Sequence, residues 1–225
     1  MKRRSFLKGI GTAGLVLWSS PLSPLKAVAG KEPVYAMIID LERCMGCQTC
    51  IVACQIEKGD LSGGFNATVR YTEKGTYPVA RQYFVPLQCN QCQDPLCMAA
   101  CDSGAIKQLD SGIIFTDWNV CNGSGACVEA CPFGMRHMVI LEGQVKSAKC
   151  DFCLQRLHQN KEPVCVATCP SRARLFGDLT RPKGEFALYL KKKFIFQLST
   201  SKGQRGHVFY AGDRALARLC LKRSG

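Results

Sequence analysis

Histidine is scarce in this chain: three in 225 residues, His137, His158 and His207, with no ligand spacing among them. That leaves little basis for a histidine-held metal centre, and packing or surface roles suit all three. No activated nucleophile, acid–base pair or substrate motif can be recognised, which argues against a substrate site of the chain's own. The order C-x3-C-x2-C, which a radical enzyme would want, does not occur. The apolar run from Gly9 to Trp18 is far shorter than the roughly 20 residues a membrane span needs. Acidic residues are missing from the first 29 positions, which carry five basic ones, and residues 181–225 hold two acidic against eleven basic. Residues 30–180 hold fourteen basic and fifteen acidic residues, so the formal net charge of +13 belongs to the two ends. Nucleic acid is a poor partner for that excess, because neither end carries a binding motif. A solvated face is the ordinary fate of such a tail, and docking on a partner or on anionic headgroups is the sharper alternative.

What is abundant is cysteine, with sixteen residues. The length and the 47% hydrophobic content suffice for one sizeable domain or two small ones. The start, Lys2-Arg3-Arg4-Ser5-Phe6-Leu7-Lys8, then the apolar run, then Ala27-Val28-Ala29, has the form of a twin-arginine export signal. The expected organisation is a signal peptide over 1–29, a cysteine-rich domain over 30–180 and a basic C-terminal extension over 181–225. Signals of this kind export proteins already folded, often with a cofactor in place, so the periplasm is the expected compartment. Disulfides would suit that compartment, and sixteen cysteines could form eight. Yet a disulfide-rich chain has no need to fold before crossing, whereas a protein carrying clusters does.

Fifteen cysteines and one serine fall into four quartets. The first is Cys44-x2-Cys47-x2-Cys50-x3-Cys54, and the second is Cys89-x2-Cys92-x4-Cys97-x3-Cys101. The third, Cys121-x2-Ser124-x2-Cys127-x3-Cys131-Pro132, has serine where a cysteine is expected. The fourth is Cys150-x2-Cys153 followed by Cys165-x3-Cys169-Pro170, with a gap long enough for a short helix. Three tails repeat one another, Cys97 to Cys101, Cys127 to Cys131 and Cys165 to Cys169. Around them, Tyr35 to Ile39 reads as a buried strand, and residues 59–81 read as an irregular connection punctuated by glycines and Pro78. Residues 105–107 and 112–115 read as a hairpin. Glu185 to Lys192 reads as a one-sided helix with Phe186 and Leu190 inward, and 194–198 and 208–210 read as strands.

Three thiolates within seven residues curl around a cube, and the x3 step starts a helix that turns the last cysteine toward another site. In two-cluster ferredoxins that last cysteine ligates the neighbouring cube, which fixes two clusters close together. Zinc prefers two separated pairs per ion, so it fits this pattern poorly. Cys220 lies outside every quartet and reads as a spare thiol.

The four quartets in this order, behind a twin-arginine leader, resemble the four-cluster iron–sulfur subunits of the dimethyl sulfoxide reductase type, with a particular likeness to the formate-dependent nitrite reductase iron–sulfur protein branch. The resemblance covers about residues 33–180. It implies an α+β fold of duplicated bacterial 2x[4Fe–4S] ferredoxin-like modules, and nested pairing of the first quartet with the fourth and the second with the third. The implied first set is Cys44, Cys47, Cys50 and Cys169, and the second is Cys150, Cys153, Cys165 and Cys54. The third is Cys89, Cys92, Cys97 and Cys131, and the fourth is Cys121, Cys127 and Cys101 with Ser124. Serine there allows a [3Fe–4S] cluster, a [4Fe–4S] cluster with an alkoxide or water ligand, or no cluster. The resemblance to nitrate reductase-type relatives, which also lack this cysteine, favours [3Fe–4S] beside three [4Fe–4S] clusters.

Asp102 stands where a proline is usual, and its carboxylate is expected close to the altered site. The implied function is electron relay between a quinone-reactive integral membrane protein and a periplasmic reductase or dehydrogenase. The private export signal favours a partner exported another way, such as a multihaem cytochrome or a polytopic membrane protein. The alternatives are a subunit of a molybdopterin oxidoreductase complex and an enzyme with an open iron at the Ser124 site.

Overall fold

The computed structural model describes residues 32–59, 64–198, 203–214 and 216–217. The expected export signal and Cys220 lie outside the described residues. In chain order the elements are β1 (Tyr35–Asp40), α1 (Thr49–Lys58), β2 (Ala67–Lys74), β3 (Arg81–Gln88), α2 (Leu96–Ala99), β4 (Ile106–Gln108), β5 (Ile114–Thr116) and α3 (Ala126–Glu129). They continue with β6 (His137–Leu141), β7 (Gln144–Ala148), α4 (Leu154–His158), α5 (Val164–Ala167), β8 (Arg174–Asp178), α6 (Gly184–Lys192), β9 (Ile195–Phe196) and β10 (Val208–Ala211). The mixture of short helices and small, separate sheets is α+β.

A four-stranded sheet in the order β8-β1-β10-β9 is the frame. β1 pairs antiparallel with β8, Met37 opposite Phe176, and parallel with β10, Met37 opposite Val208. Both faces of β1 are covered, which is why its sequence is continuously apolar rather than alternating. Met37 and Ile39 pack with Val85, Leu87, Ile113, Phe152, Val208 and Tyr210. On the opposite face, Ala36 and Ile38 pack with Leu175, Phe186, Tyr189 and Ala211. Because β8 leaves the fourth quartet and β1 leads into the first, the sheet brings the two ends of the cysteine-rich region together.

Several expectations need correction. Residues 59–81 are not irregular throughout: β2 runs antiparallel to β3 from Ala67 opposite Gln88 to Lys74 opposite Arg81. The run Ala67-Thr68-Val69-Arg70-Tyr71-Thr72 is rich in β-branched and aromatic residues, and Gly64 and Gly75 bound it rather than interrupt it. β7 was not foreseen; it pairs with β6 across Glu142-Gly143, both at positive φ (50° and 75°). The hairpin expected at 105–107 and 112–115 forms as β4 and β5, displaced by one to two residues. The strand expected over 194–198 reaches only Ile195–Phe196. The expected extension from residue 181 joins the sheet through β9 and β10, and α6 packs on β8.

In α6, Phe186 faces inward, Leu190 is only partly buried, and Tyr189 carries the contact that matters most. Its hydroxyl donates to Asp40 Oδ2 at 2.6 Å. Asp40 Oδ1 accepts from the Glu42 and Arg43 amides at 2.9 and 3.1 Å, and the Asp40 carbonyl accepts from the Cys44 amide at 3.1 Å. This buried carboxylate therefore shapes the turn that delivers the first quartet. Tyr189→Phe should cost about 1.5–3 kcal/mol, since a charged acceptor loses a donor. Denaturant unfolding checks it: a lower midpoint with unchanged iron content is expected, and an unchanged midpoint contradicts this role for Asp40.

Candidate metal centre

The four cysteine loops share a backbone device. The second residue after the first cysteine has a positive φ in each: Gly46 70°, Gln91 49°, Gly123 75° and Phe152 54°. A left-handed residue of this kind turns successive N–H groups toward one side, the concavity that anions and iron–sulfur sites use. At Gly46 an added Cβ would run into the Phe84 ring, and at Gly123 into the Val145 carbonyl, so these two positions need glycine for space as well as for φ. The third cysteine of each quartet then lies on a helix: Cys50 on α1, Cys97 on α2, Cys127 on α3 and Cys165 on α5. Three residues beyond Cys101, Cys131 and Cys169 the chain is again left-handed, at Gly104, Gly134 and Arg172, whose amides return to those cysteines' carbonyls at 3.3, 3.1 and 3.1 Å. The first quartet departs from this repeat, because α1 continues through Cys54 to Lys58.

α1 packs on α5 and α2 on α3. Cys44, Cys47, Cys50 and Cys169 line one cavity together with Pro86 and Arg174. Cys54 lies within electrostatic reach of Cys153 and Cys165, and Cys150 of Cys165 and Cys54. Cys92 lies within the same reach of Cys89, Cys97 and Cys131. Cys127 and Cys101 share an apolar cluster with Ile106, Ile114 and Cys97, and Cys121 is buried at the head of the same loop as Cys127. In the first three groups the last cysteine of one quartet stands with thiols of another. The fourth group has no thiol at Ser124. Instead the Ser124 hydroxyl donates to Asp102 Oδ1 at 3.3 Å, and Asn122 Nδ2 donates to Oδ2 at 3.2 Å. The bond from Asn122 and the Ser103 amide hold the Asp102 carboxyl below its usual range.

Burial and the neighbouring thiols push Cys54 and Cys92 up to about 12, and burial pushes Cys153 up to about 11. Cys150 is raised well above the ordinary thiol value, again by burial first. Such thiols cannot ionise together without a cation among them, and metal loading must displace their protons. Cys47 differs: it is exposed, and hydrogen bonds from the Thr49 hydroxyl and amide lower it. At Cys101 burial opposes ionisation, but hydrogen bonds from Ser103 and from the Ile106 and Ala105 amides outweigh it. Among the described residues no three Cys, His, Asp or Glu side chains close on a single metal ion. Zinc would need its thiolates about 2.3 Å from one ion, whereas a multi-iron cube spreads them further.

The chemistry of the surroundings fits such a group. Arg136 is 4% exposed, yet its Nε and Nη2 have no acceptor. Its Nη1 donates to Ser147 Oγ at 3.0 Å and Thr116 Oγ1 at 3.3 Å, with Cys127 Sγ at 4.0 Å. The sulfur atoms of a cluster would supply the acceptors that the protein lacks. Arg174 and Lys149 are also buried beside the thiols. These three cations were not foreseen from sequence. A usable signal exists for the arginines: each stands five positions after the last cysteine of its quartet, Cys131 and Cys169. Of the histidines, His137 and His207 are pushed down by burial; they pack against Gly64 and Gly112.

A family described as "4Fe-4S dicluster domain" matches residues 80–179. A tetrathionate reductase subunit of Salmonella typhimurium is 35% identical over 223 residues, covering 93% of this chain and 88% of that protein. A subunit of the anaerobic dimethyl sulfoxide reductase of Escherichia coli is 34% identical over 165 residues, covering 68% and 79%. Protein NrfC of Escherichia coli is 29% identical over 211 residues, covering 92% and 93%. The likeness to the first and third of these spans nearly the whole of each protein and takes in the cysteine loops just described. The chain belongs to the dimethyl sulfoxide reductase iron–sulfur subunit family, the electron-transfer subunits of respiratory oxidoreductase complexes.

Proposed function

We propose that the chain holds four clusters in a line and relays single electrons along it. The ligand sets are those implied by the resemblance: Cys44, Cys47, Cys50 and Cys169; Cys150, Cys153, Cys165 and Cys54; Cys89, Cys92, Cys97 and Cys131; and Cys121, Cys127 and Cys101 beside Ser124. Iron–sulfur clusters supply one-electron redox chemistry at potentials set by ligation, hydrogen bonding and exposure. The observation that carries the reading is the set of contacts that link one group of thiols to the next. Arg174 reaches Cys50 of the first set at 3.6 Å and Cys165 of the second at 3.9 Å, Gln91 of the second quartet's loop donates to the Cys150 carbonyl at 2.8 Å, and Arg136 stands between Cys97 of the third set and Cys127 of the fourth. The two termini of this line are open: Cys47 is the only exposed cysteine among the described residues, and Ser124 is exposed at the other end. Cys54, Cys153, Cys165 and Cys89, in between, are buried.

Residues 1–29 act as the export signal, and the protein works in the periplasm. It joins the membrane through a quinone-reactive integral subunit that meets the Ser124 end. The other end serves a periplasmic reductase or dehydrogenase. The 35% identity to a tetrathionate reductase subunit favours a catalytic reductase subunit of that kind, such as a molybdopterin enzyme, over a multihaem cytochrome.

The fourth cluster is [3Fe–4S]. The Ser124 proton is engaged by Asp102, which disfavours an alkoxide ligand, and a second negative group at that corner disfavours the more negative reduced state. Two outcomes are expected from paramagnetic resonance during anaerobic redox titration. The wild-type protein gives a narrow signal in the oxidised state that disappears on reduction, and Ser124→Cys loses it in favour of a fourth [4Fe–4S] signal; a wild-type protein without that oxidised signal contradicts the assignment. Asp102→Asn raises the potential of this cluster alone, and an unmoved potential removes Asp102 from the account.

A further inference from the structure

The two buried arginines occupy equivalent places in the two halves of the cysteine framework. Arg174 follows Cys169 by five residues and Arg136 follows Cys131 by five. Arg174 Nη1 lies 3.9 Å from Cys165 Sγ and its Nη2 lies 3.6 Å from Cys50 Sγ. Arg136 Nη1 lies 4.0 Å from Cys127 Sγ, and the same guanidinium faces Cys97. Each arginine thus spans the third cysteines of two quartets, first and fourth in one case, second and third in the other. Those cysteines belong to different ligand sets, so each cation stands at the seam between two adjacent clusters.

Neither arginine has an ordinary reason to be there. They are 3% and 4% exposed, and neither forms an ion pair with a carboxylate among the described residues. An unpaired buried guanidinium is strongly unfavourable. Neutral groups answer only part of its need: Gln88 and Met37 for Arg174, Ser147 and Thr116 for Arg136. Arg136 keeps two nitrogens without any acceptor. The missing counter-charge is of the kind that thiolate-ligated clusters on either side would bring.

We propose that Arg174 and Arg136 are bridging cations, each donating to two neighbouring clusters and raising the reduction potentials of both members of its pair. This rests on the four-cluster reading. Reducing one member of a pair adds a negative charge close to the other, in a poorly screened interior. A fixed cation between them offsets that repulsion for both, and its planar fork can address two sites where a lysine ammonium is a point charge. The electron itself comes from the adjacent centre, and no bond is made or broken.

The test uses the full-length protein, purified anaerobically, with iron and sulfide counts and a paramagnetic resonance redox titration of each variant. Arg174→Gln should lower the potentials of the first and second clusters and leave the third and fourth unmoved. Arg136→Gln should lower the potentials of the third and fourth clusters and leave the first and second unmoved. Arg→Lys at either place should keep the iron and give a smaller downward shift confined to the same pair, and it carries the test if a glutamine variant does not load. Loaded variants with all potentials unmoved overturn the proposal, as does a shift spread over all four clusters. A wild-type chain without iron and sulfide would instead sink the four-cluster reading, whatever the arginines do.

Discussion

Thiolates crowded into a protein interior repel one another and lose their hydration, so they can coexist only around positive charge. Most of the described architecture answers that constraint. Burial holds Cys54, Cys92, Cys150 and Cys153 in the thiol form until metal arrives, so loading must displace their protons. Each loop turns its backbone with a left-handed residue two positions after its first cysteine, and the sheet built on β1 closes the first quartet against the fourth. Arg174, Arg136 and Lys149 bring fixed positive charge to the same interior.

The quartets were legible from sequence because ligand spacing is a local property. So was β1, whose unbroken apolar run follows from burial on both faces. β2 was missed because flanking glycines suggested a loop, although its own residues favour a strand and its partner β3 supplies the pairing. β7 was missed because Gln144 to Lys146 alternate weakly and are largely exposed, and only the pairing with β6 makes them a strand. Tyr189 was passed over for Leu190 because helical periodicity alone does not reveal that a buried carboxylate, Asp40, awaits a hydroxyl.

The arginines were missed for a different reason. A basic residue five positions past a cysteine reads as surface until the fold closes over it, and the repeat that includes Arg136 and Arg174 becomes visible once both are seen touching third cysteines. The second quartet has Ile106 at the equivalent position, so each nested pair receives one arginine and not two. The altered corner shows the opposite electrostatics. Ser124 and Asp102 stand where the resemblance implies a thiolate and a proline, and they hydrogen-bond to each other at an exposed position. In the proposed relay, cationic seams and an anionic terminus would give unlike centres, which a uniform chain of cubes would not have.

The most direct test of the account is the iron and acid-labile sulfide content of the full-length protein, purified without oxygen. Three [4Fe–4S] clusters and one [3Fe–4S] cluster require about fifteen irons and about sixteen sulfides per chain. Zinc without labile sulfide, or a complement of iron and sulfide sufficient for only two clusters, would contradict a four-cluster relay.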